Sequence, residues 1–358
     1  MNAVAVTPGT RNSLHFRQDA PEPRAADGEA IIRVVRAGVC GTDVEIHEGQ
    51  YGQAPPGSPF LILGHENLGV VEHAPDGSGL SSGDLVVSTV RRPCPDACPP
   101  CVSGQNDNCL TGNYSERGIN RLHGFMSERY AESPRYLVRL PAQLRPFGVL
   151  LEPLSIVEKG IEQAYRIQER LAWEPKTAVV LGAGPVGILA AAALRLRGLE
   201  TWVASQSPEG SSKDLLLREA GIRYLSTRTT PIETLPAKVG RIDVVFEATG
   251  ATAVVFPALR ILGPNGVGIL SSVTPGGKPI EVDLGHWNRE MVLGNRLVFG
   301  TVNAGRRHFE LGVRDMEAAE ARLPGWMGRL ITRHVHFSEA LRALERSADD
   351  IKVVLDFD

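Results

Sequence analysis

The stretch TAVVLGAGPVGILAAAALRLRG, residues 177–198, constrains the fold more than any other part of the chain. An apolar run enters glycines at positions 182, 184 and 187 and leaves into an alanine-rich segment. That order reads as a buried strand, a tight turn and a helix. The spacing G-x-G-x-x-G gives each glycine a separate reason. Gly182 permits the turn, Gly184 lets backbone amides approach a pyrophosphate, and Gly187 lets the helix pack closely on the strand. Pro185 and Val186 open the helix, whose N-terminus then faces the anion. In this strand–turn–helix setting the pattern predicts dinucleotide binding.

The flanking sequence keeps the same alternation. ETWVAS, IDVVFEATG, GVGILSS and RLVFGTV read as strands, and SSKDLLLREAG and VVFPALRIL as helices. Strands alternating with helices predict a doubly wound parallel sheet, an α/β architecture. An acidic residue is expected about 20 residues after the glycine turn when the ribose carries a free 2′-hydroxyl. Ser205, Gln206 and Ser207 stand there instead, with Lys213 further on and Glu209 between. Small donors and a cation suit a 2′-phosphate, so NADP is preferred over NAD, with NAD still possible.

Residues 1 to about 150 read differently. Gly and Pro interrupt short β-rich runs, AVAV, AIIRVVRAG, NLGVVEHA, DLVVSTV and RYLVRLP, as in an antiparallel β domain with long loops. GQAPPGSPF reads as a loop over a site. Near residue 150 a helix begins, with apolar Leu154, Val157, Ile161 and Tyr165 at helical spacing. The C-terminal stretch from Asp315 reads as helix, helix and a final strand that returns to the first domain.

Four of the five cysteines, Cys94, Cys98, Cys101 and Cys109, follow C-x3-C-x2-C-x7-C. Thiolates this close wrap one zinc tetrahedrally and leave no open position, so such a zinc is structural. Prolines 93, 95, 99 and 100 stiffen the loop. The alternatives are two disulfides or metal-free thiols.

The fifth, Cys40 in GVCGTD, stands apart. His65 and Glu66 follow in GHENLG and Glu152 in LLEPLS. One thiolate, one imidazole and one carboxylate would leave a fourth position for water or an alcohol, the layout of a catalytic zinc. Taken singly, each has an ordinary alternative: a buried small hydrophobe for Cys40, and surface or locally bonded groups for the others.

The totals exclude several classes. A net charge of −3 gives no reason to expect nucleic acid or an anionic membrane as partner. No apolar run approaches the roughly 20 residues that span a bilayer. The N-terminus lacks a secretory pattern, and an odd number of cysteines fits a reducing compartment, so a cytoplasmic location is expected.

Together AGVCGTD, GHENLGVV, the cysteine loop, VLGAGPVG and EATG resemble the zinc-dependent medium-chain dehydrogenase family over nearly the whole chain. YSERGI, HGFMSE, LEPLSIVEKGIEQA and VFGTVNAG make the archaeal-type glucose 1-dehydrogenase branch the most similar. The resemblance implies a GroES-like catalytic domain over 1–160 with a structural-zinc lobe at 92–112. It implies a Rossmann domain over 161–302 and a return to the catalytic domain over 303–358. It puts Cys40, His65 and Glu152 on a catalytic zinc, with Glu66 beside the metal as an alternating or second-shell ligand. Thr42 would bond the reacting hydroxyl and pass its proton outward. Many relatives end that relay in a histidine where this chain has Glu45, and His47 is a near alternative. Thr249 and Asn303 join the nucleotide contacts, and Thr42, Glu116, Glu152 and Asn303 the substrate contacts. Otherwise Glu116 is a solvated loop charge and Asn303 a turn residue. Some members carry an aspartate where this chain has Ile156.

The expected activity is zinc-dependent oxidation of a sugar hydroxyl, foremost C1 of a glucose-like aldose to the lactone. The alternatives are another polyol, a cyclitol or an amino-sugar precursor, and, more remotely, a non-catalytic nucleotide-binding protein. The family implies a homo-oligomer, a dimer or tetramer.

Overall fold

Ten residues of extended chain, Ala30–Val39, organise the β-rich part of the protein. β-Branched and small residues dominate it, and Ala30, Ile32, Val34, Val35, Ala37 and Val39 are buried. Neighbours on both edges use its backbone. Glu66–His73, Arg129–Glu132 and Lys352–Asp356 all pair with it antiparallel. The sheet runs in the order Leu137–Leu140, Leu85–Ser88, Glu66–His73, Ala30–Val39, Lys352–Asp356, Ile331–His336, with Arg129–Glu132 paired to Ala30–Val39 off this path. One core cluster joins Ile32, Val34, Val71, Val86, Phe125 and Tyr130. Another joins Val4, Val39, Ile46, Leu63, Met126 and Leu355.

The computed structural model describes residues 1–274, 280–345 and 347–358. They form two units: Met1–Ser155 with Asn303–Glu317 and Met327–Asp358, and Ile156–Val302 with Ala318–Trp326. The final strand belongs to the first unit, with Val354 opposite Gly38.

The second unit carries a six-stranded parallel sheet: Arg223–Ser226, Glu200–Ser205, Thr177–Leu181, Val244–Glu247, Val267–Leu270, Leu297–Gly300. The chain builds outward from Thr177–Leu181 in one direction and then restarts on its other side with Val244–Glu247. This is the doubly wound order, and its reversal opens a crevice at the carboxyl ends of the two central strands. The glycine turn leaves one of those ends and EATG the other. Helix Pro185–Leu196 follows the turn and buries Ile188, Leu189, Ala190 and Leu194.

The C-terminal segment departs from the helix–helix–strand reading. After helix Arg306–Arg322 the chain forms strand Ile331–His336, parallel to Lys352–Asp356. Phe337–Leu344, whose apolar spacing imitates a helix, is a run of 3₁₀ turns broken at Glu339. Strand Arg223–Ser226 and helix Leu284–Leu293 likewise carry too short or too weak a pattern to be read from sequence. No helix among the described residues is long and apolar enough to cross a membrane.

One buried charge cluster ties the β-rich unit together. Glu132 accepts from Arg117 Nη2 at 2.8 Å and Nε at 3.1 Å, and it also pairs with Arg92. Arg92 lies 4.0 Å over the Tyr136 ring. Burial opposes ionisation of Glu132, but the two guanidinium groups outweigh it and hold its pKa below the usual carboxylate value. The pair's stability is therefore present above the ordinary glutamate range and lost as pH falls through the depressed native pKa. Glu132→Gln leaves two buried cations without their counter-charge. It is expected to lower unfolding stability by about 3–5 kcal/mol, read as a lower urea midpoint with an unchanged m-value. A loss under about 1 kcal/mol would show that the cluster is solvated.

Candidate functional site

Cys40 follows directly on strand Ala30–Val39 and caps the short helix Gly41–His47. The cap is held by Asp43, which is fully buried and whose Oδ2 accepts from the Cys40 amide at 2.8 Å. The other oxygen, Oδ1, accepts from the Gly64 amide at 3.2 Å and stands 3.6 Å from His65 Nδ1. One buried carboxylate thus fixes both the Cys40 turn and the chain at His65. The 3.6 Å contact is too long for a hydrogen bond, so Nδ1 is a buried ring nitrogen with no bonded partner among the described residues. Burial disfavours the imidazolium, yet Asp43 and Cys40 together hold the His65 pKa well above its ordinary value.

Glu66 begins the strand Glu66–His73 and lies opposite Gly38. A side chain at Gly38 would overlap the Glu66 carboxylate, so the glycine makes room for it. The ligand atoms of Cys40, His65 and Glu66 lie within 4.8 Å of one another. Glu66 is also gripped from the far strand: Lys352 Nζ lies 2.6 Å from each of its oxygens and 3.2 Å from the Val39 carbonyl. Burial works against the Lys352 charge, but Glu66 and Cys40 hold its pKa above the usual lysine value. Sequence reasoning missed Lys352. Its only local signal is a lysine inside the apolar strand IKVVLDF.

Glu152, at the start of helix Leu151–Gln168, is buried and lies outside that 4.8 Å group. Burial pushes its pKa up to about 7, His65 lowers it in part, and Glu66 raises it further. Its carboxylate accepts no hydrogen bond among the described residues. Thr42 and Glu45 are half-buried on the short helix, and the Tyr51 phenol lies beside them and Cys40. Tyr51 precedes the proline-rich loop and was not singled out by sequence. His47, the alternative relay group, has a buried Nδ1 without a partner among the described residues.

The four lobe cysteines bring their sulfurs within 4.8 Å of one another. All five cysteines are unpaired, so the lobe contains no disulfide. Helical turn Pro99–Val102 holds the loop, with the Val102 amide bonded to Cys98 O at 3.0 Å. Four convergent thiols fit one tetrahedral zinc, and the Cys40–His65–carboxylate set fits a zinc with an open position.

Glu116 and Asn303 meet: Asn303 Nδ2 donates to Glu116 Oε1 at 2.9 Å. Glu116 is buried and paired with Arg91 rather than being a solvated loop charge. Asn303 adopts φ +58° and turns the chain so that its own Oδ1 accepts from the Ala304 amide.

In the second unit Gly182 has φ +109°, and a Cβ at Gly187 would collide with the Gly182 carbonyl. A Cβ at Gly184 would meet nothing within 4 Å, leaving the open approach that a pyrophosphate needs. Thr249 is fixed by Glu247, whose Oε1 accepts from its amide at 2.6 Å and its hydroxyl at 2.5 Å. Ser205 Oγ lies 2.6 Å from Tyr224 Oη, which donates to the Ser207 carbonyl at 2.7 Å. Gln206 is exposed and Lys213 half-buried. Asn303 stands in the first unit, whereas the other nucleotide candidates stand in the second.

Comparison with known proteins agrees with these features. Residues 145–357 match the family model for the glucose dehydrogenase C-terminus, and residues 26–142 that for the alcohol dehydrogenase GroES-like domain. The glucose 1-dehydrogenases of Methanocella arvoryzae and Thermoproteus tenax are each 44% identical, covering 99% of this chain and 99% of theirs. The crystal structure of Haloferax mediterranei glucose dehydrogenase with NADP, Zn and gluconolactone superposes with a TM-score of 0.91. It has 36% identity and covers 100% of this chain and 99% of that one. Identity of this order along the full length reflects common descent rather than a shared fold alone, and the chain belongs to the zinc-dependent medium-chain dehydrogenases, in their glucose dehydrogenase branch.

Proposed function

We propose that the protein oxidises the C1 hydroxyl of a glucose-like aldose to the lactone, with NADP and zinc. The observation that carries the reading is the buried convergence of Cys40, His65 and Glu66, with Glu152 close by, in a chain related to glucose 1-dehydrogenases. Of the two carboxylates, Glu152 is the better ligand. Glu66 is already neutralised by Lys352, whereas the Glu152 carboxylate accepts no hydrogen bond among the described residues. Cys94, Cys98, Cys101 and Cys109 would hold the second, structural zinc.

When bound, the catalytic zinc polarises the substrate hydroxyl and the nicotinamide accepts the hydride. The chain's own groups do the rest. Asp43 holds Cys40 and His65 in register through the turn and the Gly64 amide. Thr42 takes the C1 hydroxyl proton and passes it outward past Tyr51 and Glu45. Glu116 and Asn303 bond sugar hydroxyls, and a sugar lacking the matching hydroxyl leaves them unpaired. The glycine turn receives the pyrophosphate. Ser205, Gln206, Ser207 and Lys213 surround the 2′-phosphate, and Thr249 faces the nucleotide. Ile156, where some relatives carry an aspartate, leaves one hydroxyl without a partner and favours acceptance of more than one aldose or polyol.

We also assign a homo-oligomer, a dimer or tetramer. Strand Leu297–Gly300 ends its sheet with Leu297, Val298 and Phe299 half-buried, and Leu284, Val292 and Leu293 are exposed nearby in sequence. An edge of this kind calls for a partner. The unpaired thiols suit the reducing cytoplasm.

Cys40→Ala is expected to reduce glucose oxidation at least about 1000-fold while NADP binding, followed by fluorescence titration, stays within about twofold. Retained turnover would refute the assignment of Cys40. Lys213→Ala is expected to raise the KM for NADP about tenfold and leave that for NAD unchanged. Equal changes for both nucleotides would place Lys213 away from the 2′-group.

A further inference from the structure

Arg91 stands where the cysteine lobe begins, three residues before Cys94, and it is buried. It forms a two-residue strand with Arg92 and lies directly opposite Glu116 on strand Ser115–Arg117. Its guanidinium has three engagements. Nε donates to Glu116 Oε1 at 3.0 Å, Nη1 donates to the Asp107 carbonyl at 3.0 Å, and the plane covers the Tyr114 ring at 3.7 Å. Its own carbonyl accepts from Asn106 Nδ2 at 2.5 Å. Asn106 and Asp107 lie between Cys101 and Cys109, inside the lobe. The Asn303 segment packs on the same residues: a Cβ at Gly305 would stand 2.8 Å from Asp107 Oδ1.

Glu116 is therefore held unevenly. Both of its protein donors, Arg91 and Asn303, bond Oε1. Oε2 accepts no hydrogen bond among the described residues and is not sealed from solvent. A carboxylate clamped on one oxygen and open on the other is a preorganised acceptor for a hydroxyl.

We infer that the four-cysteine lobe sets the affinity for the sugar, with Arg91 as the positioning residue that transmits the lobe's geometry to Glu116. This rests on the reading of Glu116 as a sugar contact and goes beyond it. The four cysteines would hold a metal that ties down the loop carrying Asn106 and Asp107. Those residues fix the Arg91 backbone and guanidinium. Arg91 aims the free oxygen of Glu116. A lysine in place of Arg91 keeps the charge but has no planar fork, so it cannot hold Asp107 and Glu116 in one plane.

The test compares Arg91→Lys, Glu116→Gln, their double variant and Cys109→Ser in the zinc-loaded, full-length protein. Readouts are KM and kcat for glucose, NADP affinity by fluorescence, zinc content, and the sugar-dependent rise in melting temperature of the NADP-bound protein. Arg91→Lys is expected to raise the glucose KM about tenfold and shrink the sugar-dependent melting shift, with kcat and NADP affinity within about twofold. The double variant should bind sugar no worse than Glu116→Gln alone, because both changes break one linkage. Cys109→Ser should lose one zinc per chain and reproduce the raised KM. If Glu116→Gln leaves glucose affinity intact, the assignment of Glu116 falls and the inference with it. If Glu116→Gln weakens glucose binding while Arg91→Lys does not, or if the two effects add, the inference alone falls. A parallel weakening of sugar and NADP would make Arg91 merely structural and also overturn it. Should Arg91→Lys fail to fold, Asn106→Ala, which removes the bond to the Arg91 carbonyl, takes its place with the same expectations.

Discussion

Lys352, sealed from solvent and 2.6 Å from each oxygen of Glu66, is the cation on which the candidate active site depends. Around it are Asp43, Glu66, Glu152 and the Cys40 thiol, all buried or half-buried. With those four ionised and His65 neutral, one lysine leaves a large excess of negative charge in a low-dielectric region. Such an excess is strongly unfavourable unless a further cation joins it. Burial pushes the Glu152 pKa up to about 7, with Glu66 and Asp43 raising it further, while Asp43 and Cys40 hold that of His65 above its ordinary value against burial. A divalent ion would remove most of the excess and let Glu152 ionise.

The backbone that delivers these groups is economical. Strand Ala30–Val39 ends at Cys40, and Gly38 faces Glu66 on one side and Val354 on the other. The C-terminal strand therefore completes the charge balance of a site that begins near residue 40. Truncating or misregistering it would leave Glu66 uncompensated even though the residues of GVCGTD and GHENLG were intact. The same economy recurs at the lobe, where the strand leading into Cys94 also carries the partner of Glu116.

Much of this was legible in the sequence because it is local. The glycine turn, the C-x3-C-x2-C-x7-C loop and the helix after residue 150 are set by spacing within about 20 residues, and each forms as expected. Cys40, His65 and Glu152 lie far apart, and the family resemblance rather than spacing joined them. Lys352 was not legible. Its partner is 286 residues away, and a lysine in a short apolar strand carries no sign of what it faces. Arg91 was hidden for a similar reason, since its pairing with Glu116 depends on a two-residue strand. Strand Ile331–His336 escaped because the residues after it imitate a helical pattern that the kink at Glu339 breaks.

X-ray absorption at the zinc K-edge tests the central claim most directly, since it reports the atoms around the metal without reference to turnover. The account predicts about two zincs per chain, one with four sulfurs and the other with one sulfur, one imidazole nitrogen and oxygen. The averaged spectrum should then show mixed sulfur and nitrogen/oxygen shells with imidazole scattering that disappears in a His65→Ala variant. A spectrum of sulfur ligands alone, or imidazole scattering that survives that substitution, would contradict it.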